Sequence, residues 1–363
     1  MFKIKQFKWA LALLAIFGLV VMDSCSNEGP AGVDGVDANA SCTECHNADP
    51  VIVAKTLQWE TSGHGMGEAA EGRTWDGFYG SCTRCHTEQG FQDYISTGSS
   101  GAETEPVPIG CRACHEIHST YTYNDYGLRT STSPSFPSDS GKTFDGGKGN
   151  LCATCHVPRS EVENGDFAAA FTAGTSKYYT NASGVYMYSN TSTHYGPHHG
   201  PQGAILSGQG GYSNDGQTLT STTAHYSNPN MTDTCVQCHM GDLSVGAGNH
   251  TFKLTYTDGD GDEQTNLDNC NTTACHGTGG ITTLDRDGKQ TALSNGMVGF
   301  TTGLLTDGFL AIDADGIHPV ATNLTEAQAG AIYNFFLVYE DGSAGIHNFK
   351  YASNLIQGSA DAL

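Results

Sequence analysis

Basic residues are scarce in this 363-residue sequence. It contains 16 Lys and Arg against 38 Asp and Glu, which gives a formal net charge of −22 at pH 7. Because DNA and RNA are bound mainly through Lys and Arg, this deficit excludes nucleic acid as a natural partner. The acidic surface favours solubility and contacts with cations, mineral surfaces or basic proteins.

Long apolar segments are also missing after the first 22 residues. Hydrophobic residues make up 37% of the chain, and glycine alone occupies 47 positions. The chain by itself is therefore not expected to build one large hydrophobic core. Stretches rich in Gly, Ser, Thr, Asn and Asp, such as residues 131–150, are typical of loops. We predict a mostly irregular, loop-rich fold with short α-helices and little β-structure, whose interior must be filled by something other than side chains.

The N-terminal segment is typical of an export signal. A short basic region precedes an apolar run of 14 residues, Trp9–Met22, which is shorter than the roughly 20 residues that a membrane-spanning helix needs. Cys25 follows in VMDSCS, which resembles a bacterial lipoprotein box, where the new N-terminal cysteine is diacylated. We predict a lipoprotein-type signal peptide over residues 1–24, lipidation of Cys25 and a flexible Gly-rich tether over residues 25–40. Because two positions before the cysteine match the box poorly, an ordinary secretory signal with a stray thiol is the alternative.

Five later segments fit the pattern C-x-x-C-H. This is the attachment signature of c-type haem, in which two thiols bond to two vinyl groups on one porphyrin edge and the adjacent histidine ligates the iron. Neither a disulfide scaffold nor a zinc ribbon would require a histidine after each second cysteine. We predict that haem is attached through Cys42 and Cys45, Cys82 and Cys85, Cys111 and Cys114, Cys152 and Cys155, and Cys235 and Cys238, with His46, His86, His115, His156 and His239 as iron ligands.

A sixth segment, Cys270-Asn-Thr-Thr-Ala-Cys275-His276, keeps the Cys-His pair but has four residues between the thiols. The porphyrin fixes the distance between the two sulfurs and not the number of residues looped between them. The segment therefore predicts a sixth c-type haem, held by Cys270 and Cys275 with His276 on its iron. The alternative is a disulfide between the two cysteines beside an unrelated histidine.

Nine of the 15 histidines lie outside these six motifs, which is enough to give every iron a second histidine. Methionine, which would raise the potential in the same position, is rare in the chain. Bis-histidine coordination and low potentials are therefore expected. From their local contexts we predict His64, His118, His198, His225, His250 and His347 as second ligands and keep His194, His199 and His318 in reserve.

The clearest helical pattern lies near the C-terminus. Thr325 and Gln328 resemble a capping box at the start of a helix that stops before Gly342. A shorter helix is predicted over residues 348–356. The expected apolar face of the first helix consists of Ile332, Phe335, Phe336 and Tyr339.

Several segments together resemble the multihaem c-type cytochromes of metal-reducing and related bacteria, which include outer-surface hexahaem and tetrahaem cytochromes that polymerise into conductive filaments. The resemblance is carried by CHTEQGF, IGCRACHEIH, HHGPQG, CVQCHM, GNHTFK and DGSAGIHNFKYASNLI, and it extends from about Cys42 to Ile356. It implies bis-histidine haems in a chain of closely stacked pairs, which fill the core of a loop-rich fold. The lipid predicted at Cys25 departs from secreted filament subunits, so the resemblance leaves a homopolymer open.

Haem irons with both axial positions filled leave no position for a substrate, so electron transfer is the expected function of the protein. We expect residues 41–363 to form a hexahaem conduit at the outer membrane, on the cell surface or the periplasmic face, with the lipid as its membrane contact. Its expected partners are other redox proteins or extracellular electron acceptors. The alternative is a multihaem reductase of nitrite, hydroxylamine or a sulfur oxyanion with one open haem site. The sequence contains no C-x-x-C-K motif, the signature that resembles pentahaem nitrite reductases.

Overall fold

The structure, a computed structural model, describes residues 46, 49–66, 80–137, 141–159, 178–189, 194–214, 218–219, 223–242, 246–314 and 316–363. The predicted signal peptide, Cys25, the tether and the first cysteine pair, Cys42 and Cys45, lie outside the described residues. The chain divides into two compact units, Met1–Asp49 with Tyr121–Tyr123, and Pro50–Thr120 with Asn124–Leu363. Within the first unit, His46, Asp49 and residues 121–123 are described.

Short helices alternate with loops through most of the second unit, and its longest helices lie at the C-terminal end. The helices in the described residues are α1 (Pro50–Glu60), α2 (Gly63–Met66), α3 (Gly80–His86), α4 (Glu88–Thr97), α5 (Cys111–Cys114), α6 (Gly149–Ala153), α7 (Gln202–Ser207), α8 (Ala224–Ser227), α9 (Cys235–His239), α10 (Lys289–Thr306), α11 (Glu326–Asp341) and α12 (Phe349–Asp361). Single turns of 3-10 helix lie at Tyr123–Tyr126, Asn249–Thr251 and Arg286–Gly288. No described helix combines the length and the apolar character that crossing a membrane would require.

The described strands are short and pair antiparallel. They are β1 (Tyr178–Thr180), β2 (Tyr186–Ser189), β3 (Thr255–Thr257), β4 (Glu263–Thr265), β5 (Leu310–Asp313), β6 (Gly316–Pro319) and β7 (Asn323–Thr325). One three-stranded sheet has the order β1-β2-β7, and two hairpins are formed by β3 with β4 and by β5 with β6. In the sheet, Met187 lies opposite Thr325, the residue that caps the next helix.

The predicted capping box at the start of α11 is confirmed. The Gln328 backbone N–H donates to the Thr325 hydroxyl at 3.3 Å, and the Thr325 N–H donates to the Gln328 side chain at 2.9 Å. Two of the backbone donors left over at the helix start are thereby satisfied. The helix ends, as predicted, before Gly342, which adopts the left-handed conformation with φ of 66°.

A hydrophobic core is formed where α11 packs against α10, α12 and α7. Burying each large apolar side chain contributes on the order of 1.5–3 kcal/mol. This core is larger than the overall composition led us to expect, because the apolar residues are concentrated toward the C-terminus. Its fully buried large members include Ile205, Leu304, Leu324, Ile332, Tyr333, Phe335, Leu337, Tyr351 and Leu355. A haem-filled interior elsewhere in the chain stays a prediction.

Three details of the C-terminal helices differ from the sequence-based expectation. Helix α11 is buried on most of its surface rather than on one face, and Tyr339 is 44% exposed instead of lying on the apolar side. Helix α12 continues through Gly358 to Asp361, because its apolar face packs on α11 and outweighs the glycine. Helix α10 was not predicted, since three glycines and several threonines obscure its periodicity.

Candidate functional site

The C-x-x-C-H motifs within the described residues fold as single helical turns. Helix α3 contains the motif at 82–86, and α9 contains the motif at 235–239. In the other two, the histidine N–H closes the turn onto the first cysteine, from His115 to Cys111 and from His156 to Cys152, both at 2.9 Å. Each turn therefore presents two thiols and one imidazole from five consecutive residues.

The wide sixth motif closes in the same way. The His276 N–H donates to the Cys270 carbonyl oxygen at 3.1 Å, although the two residues are six positions apart instead of four. The added loop is fixed by Asn271, whose side chain exchanges two hydrogen bonds of 2.9 Å with the backbone of Ile281. The two extra residues are accommodated between the cysteines without opening the turn.

Five motif histidines each lie beside one histidine from outside the motifs. In every pair the ring centres are 6.1–6.3 Å apart, and no motif histidine is shared between two pairs. The ring of His198 also lies 5.1 Å from that of its neighbour His199. The angle between the ring planes varies from 26° to 80°. The pairs are His64 with His156, His86 with His198, His115 with His250, His225 with His276, and His239 with His347.

Six of these ten rings use Nδ1 for a hydrogen bond to an oxygen. An Nδ1–H that donates to oxygen fixes the tautomer and leaves the lone pair of Nε2 for a metal, which is the usual arrangement of metal-binding histidine. The acceptors are the backbone carbonyls of Tyr126, Ile346 and Phe252 for His115, His225 and His239, the side-chain amides of Gln202 and Asn249 for His156 and His250, and the carboxylate of Asp341 for His347, at 2.6–3.0 Å.

His276 differs from these six. The Arg286 guanidinium nitrogen lies 3.1 Å from its Nδ1, so here the imidazole nitrogen accepts instead of donating. Burial and the positive charge of Arg286 both lower the pKa of His276. The sixth motif thus has a cation at the place where the motif histidines His115, His156 and His239 have an oxygen acceptor.

Burial keeps several paired imidazoles neutral, the form that can donate a lone pair to a metal. It lowers the pKa of His198 to about 4, helped by the charge of Arg159, and that of His250 to about 4, helped by Lys55. Burial also lowers the pKa of His156 and His239. For His347 burial acts in the same direction, but the charge and hydrogen bond of Asp341 outweigh it and raise the pKa.

Two of the predicted second ligands have an unusual backbone. His118 and His198 have φ of 68° and 69°, in the left-handed region that non-glycine residues rarely adopt. The Nε2 of His198 is buried and has no hydrogen-bond partner. Strained backbone and an unsatisfied buried nitrogen both cost stability, and such features concentrate at functional sites.

The motifs contact one another through their thiols. The neighbouring Cys155 thiol lowers the pKa of Cys85, and the neighbouring Cys152 thiol lowers the pKa of Cys235. These contacts join the second motif to the fourth and the fourth to the fifth. Burial, together with the charge of Cys270, raises the pKa of Cys238 to about 12. The fifth motif therefore lies beside the sixth.

Phe252 lies among three of the histidine pairs. Its ring is 5.1 Å from that of His64 and 6.1 Å from that of His250, and its carbonyl oxygen accepts from His239 Nδ1 at 3.0 Å. The residue has φ of 56°, so the local backbone is held in an uncommon conformation while it makes these contacts.

The three reserve histidines lie outside the five pairs. His318 Nε2 lies 2.7 Å from the Asp313 carboxylate, and His199 Nδ1 lies 2.8 Å from that of Glu340. The third, His194, is exposed. His46 and His118 complete the predicted set of twelve ligands, and the ten in the five pairs are its other members.

Within the described ranges, no three or more His, Cys, Asp and Glu side chains converge as they would around a free metal ion. A haem iron takes four ligands from the porphyrin and needs only two from the protein. Each of the five pairs contains two imidazoles, which matches that number.

The hydrogen-bond acceptors of the paired imidazoles were missed by sequence reasoning. Five of the six acceptors nevertheless lie inside the segments that carry the family resemblance: Gln202 in HHGPQG, Asn249 and Phe252 in GNHTFK, and Asp341 and Ile346 in DGSAGIHNFKYASNLI. The signal that could have found them is an amide residue next to, or a few positions from, a candidate histidine. Tyr126, whose carbonyl accepts from His115, lies outside these segments and has no such signal.

Comparison of the chain with protein-family models, curated proteins and solved structures finds no match.

Proposed function

We propose that this chain binds six c-type haems covalently, each with two histidine ligands, and transfers electrons along them. The single observation that carries the proposal is the pairing of five motif histidines with five predicted second ligands at one nearly constant separation. Random packing of imidazoles would not select one partner from each set five times.

The separation of the paired rings fits one metal between them. A five-membered ring with bonds of about 1.35 Å holds each nitrogen about 1.15 Å from its centre, and a metal–imidazole bond is about 2.0 Å long, so two rings on opposite sides of a metal stand about 6.3 Å apart. The observed range is 6.1–6.3 Å. Rotation about the shared axis leaves this distance unchanged, which accounts for the wide spread of interplanar angles.

The cysteines and the motif histidines would hold each haem from one side, and the second histidine would close the other. When bound, a haem supplies one-electron redox chemistry. The protein would supply two histidines to each iron, and in six of the ten paired rings an oxygen acceptor on Nδ1 fixes the orientation. Such sites would accept and release one electron at a potential set by their ligands, and they leave no position on the iron for a substrate.

The contacts between motifs support a conduit rather than isolated sites. Cys85 lies beside Cys155 and Cys152 lies beside Cys235, and in each of these two contacts the thiols would be bonded to different porphyrins. Neighbouring edges favour transfer between the second, fourth and fifth sites. The position of Cys238 beside Cys270 extends the same path to the sixth.

The proposed location is the cell envelope. The N-terminal segment supports export, and the cysteine at position 25 supports a lipid anchor in the outer membrane, on the surface or the periplasmic face. The acidic surface fits other redox proteins or extracellular acceptors as partners and disfavours nucleic acid. Surface proteolysis of intact cells tests the exposure: complete protection would confine the protein to the periplasm.

The haem content and spin state test the function. The protein is produced in a host that matures c-type cytochromes, and its intact mass and pyridine haemochrome absorbance are measured. We expect six haems with entirely low-spin ferric EPR signals. A chain with no covalent haem would overturn the proposal, and a high-spin signal from one haem would favour the reductase alternative instead.

A further inference from the structure

The carboxylate of Asp341 occupies an unfavourable position. It is the last residue of α11, where the helix dipole presents its negative end, and its side chain is 2% exposed. Within the described parts of the chain no Lys or Arg forms an ion pair with it. Burying a carboxylate at this end of a helix costs stability, so its presence needs another explanation.

The carboxylate is held by a small set of donors aimed at one imidazole. His347 Nδ1 lies 2.6 Å from Asp341 Oδ1, and the Ser343 hydroxyl donates to Asp341 Oδ2. The same hydroxyl accepts from the His347 backbone N–H at 3.3 Å. Ser343 therefore fixes the carboxylate and the backbone of the histidine together.

Among the six Nδ1 hydrogen bonds of the paired histidines, this is the one that ends on a carboxylate. The other five end on neutral carbonyl or amide oxygens. A hydrogen bond to an ionised acceptor is roughly twice as strong as a neutral one. It moves the Nδ1 proton toward the acceptor and makes the imidazole a stronger electron donor to a metal on Nε2.

We infer that Asp341 is a positioning residue that lowers the potential of the iron at the His239–His347 site. The inference rests on the proposed function, because it needs an iron between these rings. A more basic ligand stabilises the ferric state, so the iron at this site is harder to reduce. The cysteines of the fifth motif lie beside those of the fourth and of the sixth. A low potential at this site would therefore form a barrier to electron transfer inside the conduit.

The test compares Asp341→Asn with Glu340→Gln in the six-haem protein by optical spectroelectrochemistry and potentiometric EPR. Both changes remove one carboxylate at the end of α11, but the partner of Glu340 is His199, which is not a proposed ligand. For Asp341→Asn, we expect about one-sixth of the absorbance change to titrate with a roughly tenfold larger reduction constant, which is about 59 mV for a one-electron couple. In Glu340→Gln the midpoint potentials should differ from those of the parent protein by only a small fraction of that shift. In Asp341→Glu the potential of the affected haem should return toward its value in the parent protein.

Several results would overturn the inference. An unchanged titration of Asp341→Asn with six low-spin haems would refute it while leaving the proposed function intact, and so would an equal shift in Glu340→Gln. If Asp341→Asn fails to load six haems, Ser343→Ala is used, for which a smaller shift of the same component is expected and no shift refutes the inference. A parent protein without haem would refute the proposed function itself, and the haem content distinguishes that case.

Discussion

The backbone N–H of His276 donates to the carbonyl oxygen of Cys270 at 3.1 Å, and this bond gives the wide motif the same closure as the narrow ones. In the narrow motifs the corresponding bonds, from His115 to Cys111 and from His156 to Cys152, are 2.9 Å long. The backbone hydrogen bond between the histidine and the first cysteine is therefore kept, while the number of residues between them changes. The loop is an insertion into a common turn.

This closure predicts that the two extra residues are dispensable for attachment. We expect a variant lacking Thr272 and Thr273 to retain six haems, because Asn271 and the Cys-His pair remain. Intact mass and haem absorbance are the measurements, with a Cys270→Ser, Cys275→Ser double variant as the control that should lose one covalent haem. Five haems in the parent, with Cys270 and Cys275 joined as a disulfide, would show that the motif does not attach haem.

The sixth motif leaves no space for a side chain at Gly280. A Cβ at this position would lie 1.7 Å from the backbone oxygen of His276, so a side chain must push the histidine turn away. We expect Gly280→Ala to destabilise the protein by about 1–3 kcal/mol and to disturb the EPR signal of one haem. Gly299→Ala in α10, where a Cβ meets open space, is the control and should be neutral or stabilising by up to about 1 kcal/mol. Equal thermal unfolding of the two variants would contradict the clash.

His198 and His199 are adjacent, but their surroundings differ. His198 faces His86, with its Nε2 buried and unsatisfied, whereas the side chain of His199 is 77% exposed beside Glu340. We expect His198→Ala to convert one haem of six to the high-spin state and His199→Ala to leave all six low-spin. Ferric EPR and the visible spectrum of each purified variant decide between them. The reverse pattern would assign the ligand to His199.

Local sequence patterns predicted the local structure around several of these sites. The capping box of Thr325 and Gln328 and the stop at Gly342 are confirmed, because caps depend on side chains a few residues apart. The structure also places five of the six histidines selected from their contexts beside a motif histidine, although iron ligation by them stays a prediction. Small residues around a histidine indicate a turn from which the ring can project inward. This signal can be found because it depends only on neighbouring residues in the sequence.

The partners within the pairs could not be predicted in the same way. His115 meets His250 and His239 meets His347, in each case across a long stretch of intervening chain. Such pairing depends on how the segments pack and not on spacing along the sequence. The C-terminal core was missed for a related reason: a low average hydrophobicity over the whole chain conceals apolar residues that are concentrated in α10, α11 and α12.

Gln202 connects the fourth site to the end of α11. Its Oε1 accepts from His156 Nδ1 at 2.9 Å, and its Nε2 donates to the Glu340 carbonyl at 3.1 Å. Gln202→Leu would leave these groups unsatisfied, so we expect a loss of about 1–3 kcal/mol in the free energy of unfolding and an altered potential for one haem. Gln209→Leu, which removes an exposed 3.1 Å bond to Thr143, is the matched control. An unchanged potential in Gln202→Leu would mean that the amide does not tune this histidine.

The ion pair of Lys148 with Asp233 predicts an acid-dependent loss of stability. Lys148 donates to Asp233 through its Nζ at 2.9 Å and through its backbone N–H at 3.1 Å, and these bonds lower the pKa of the carboxyl. A folded-state pKa below the unfolded value of about 3.9 means that the stabilisation is complete above that pH and disappears as the pH falls through the folded value. Because the pair is partly exposed, its contribution is at most about 1 kcal/mol. We expect Asp233→Asn to be less stable than the parent at pH 6 and equal to it at the lowest pH at which the protein still folds. Thermal unfolding across this pH range measures the difference, with Asp307→Asn as the control, and a difference that persists unchanged into acid would show that the ion pair is not its source.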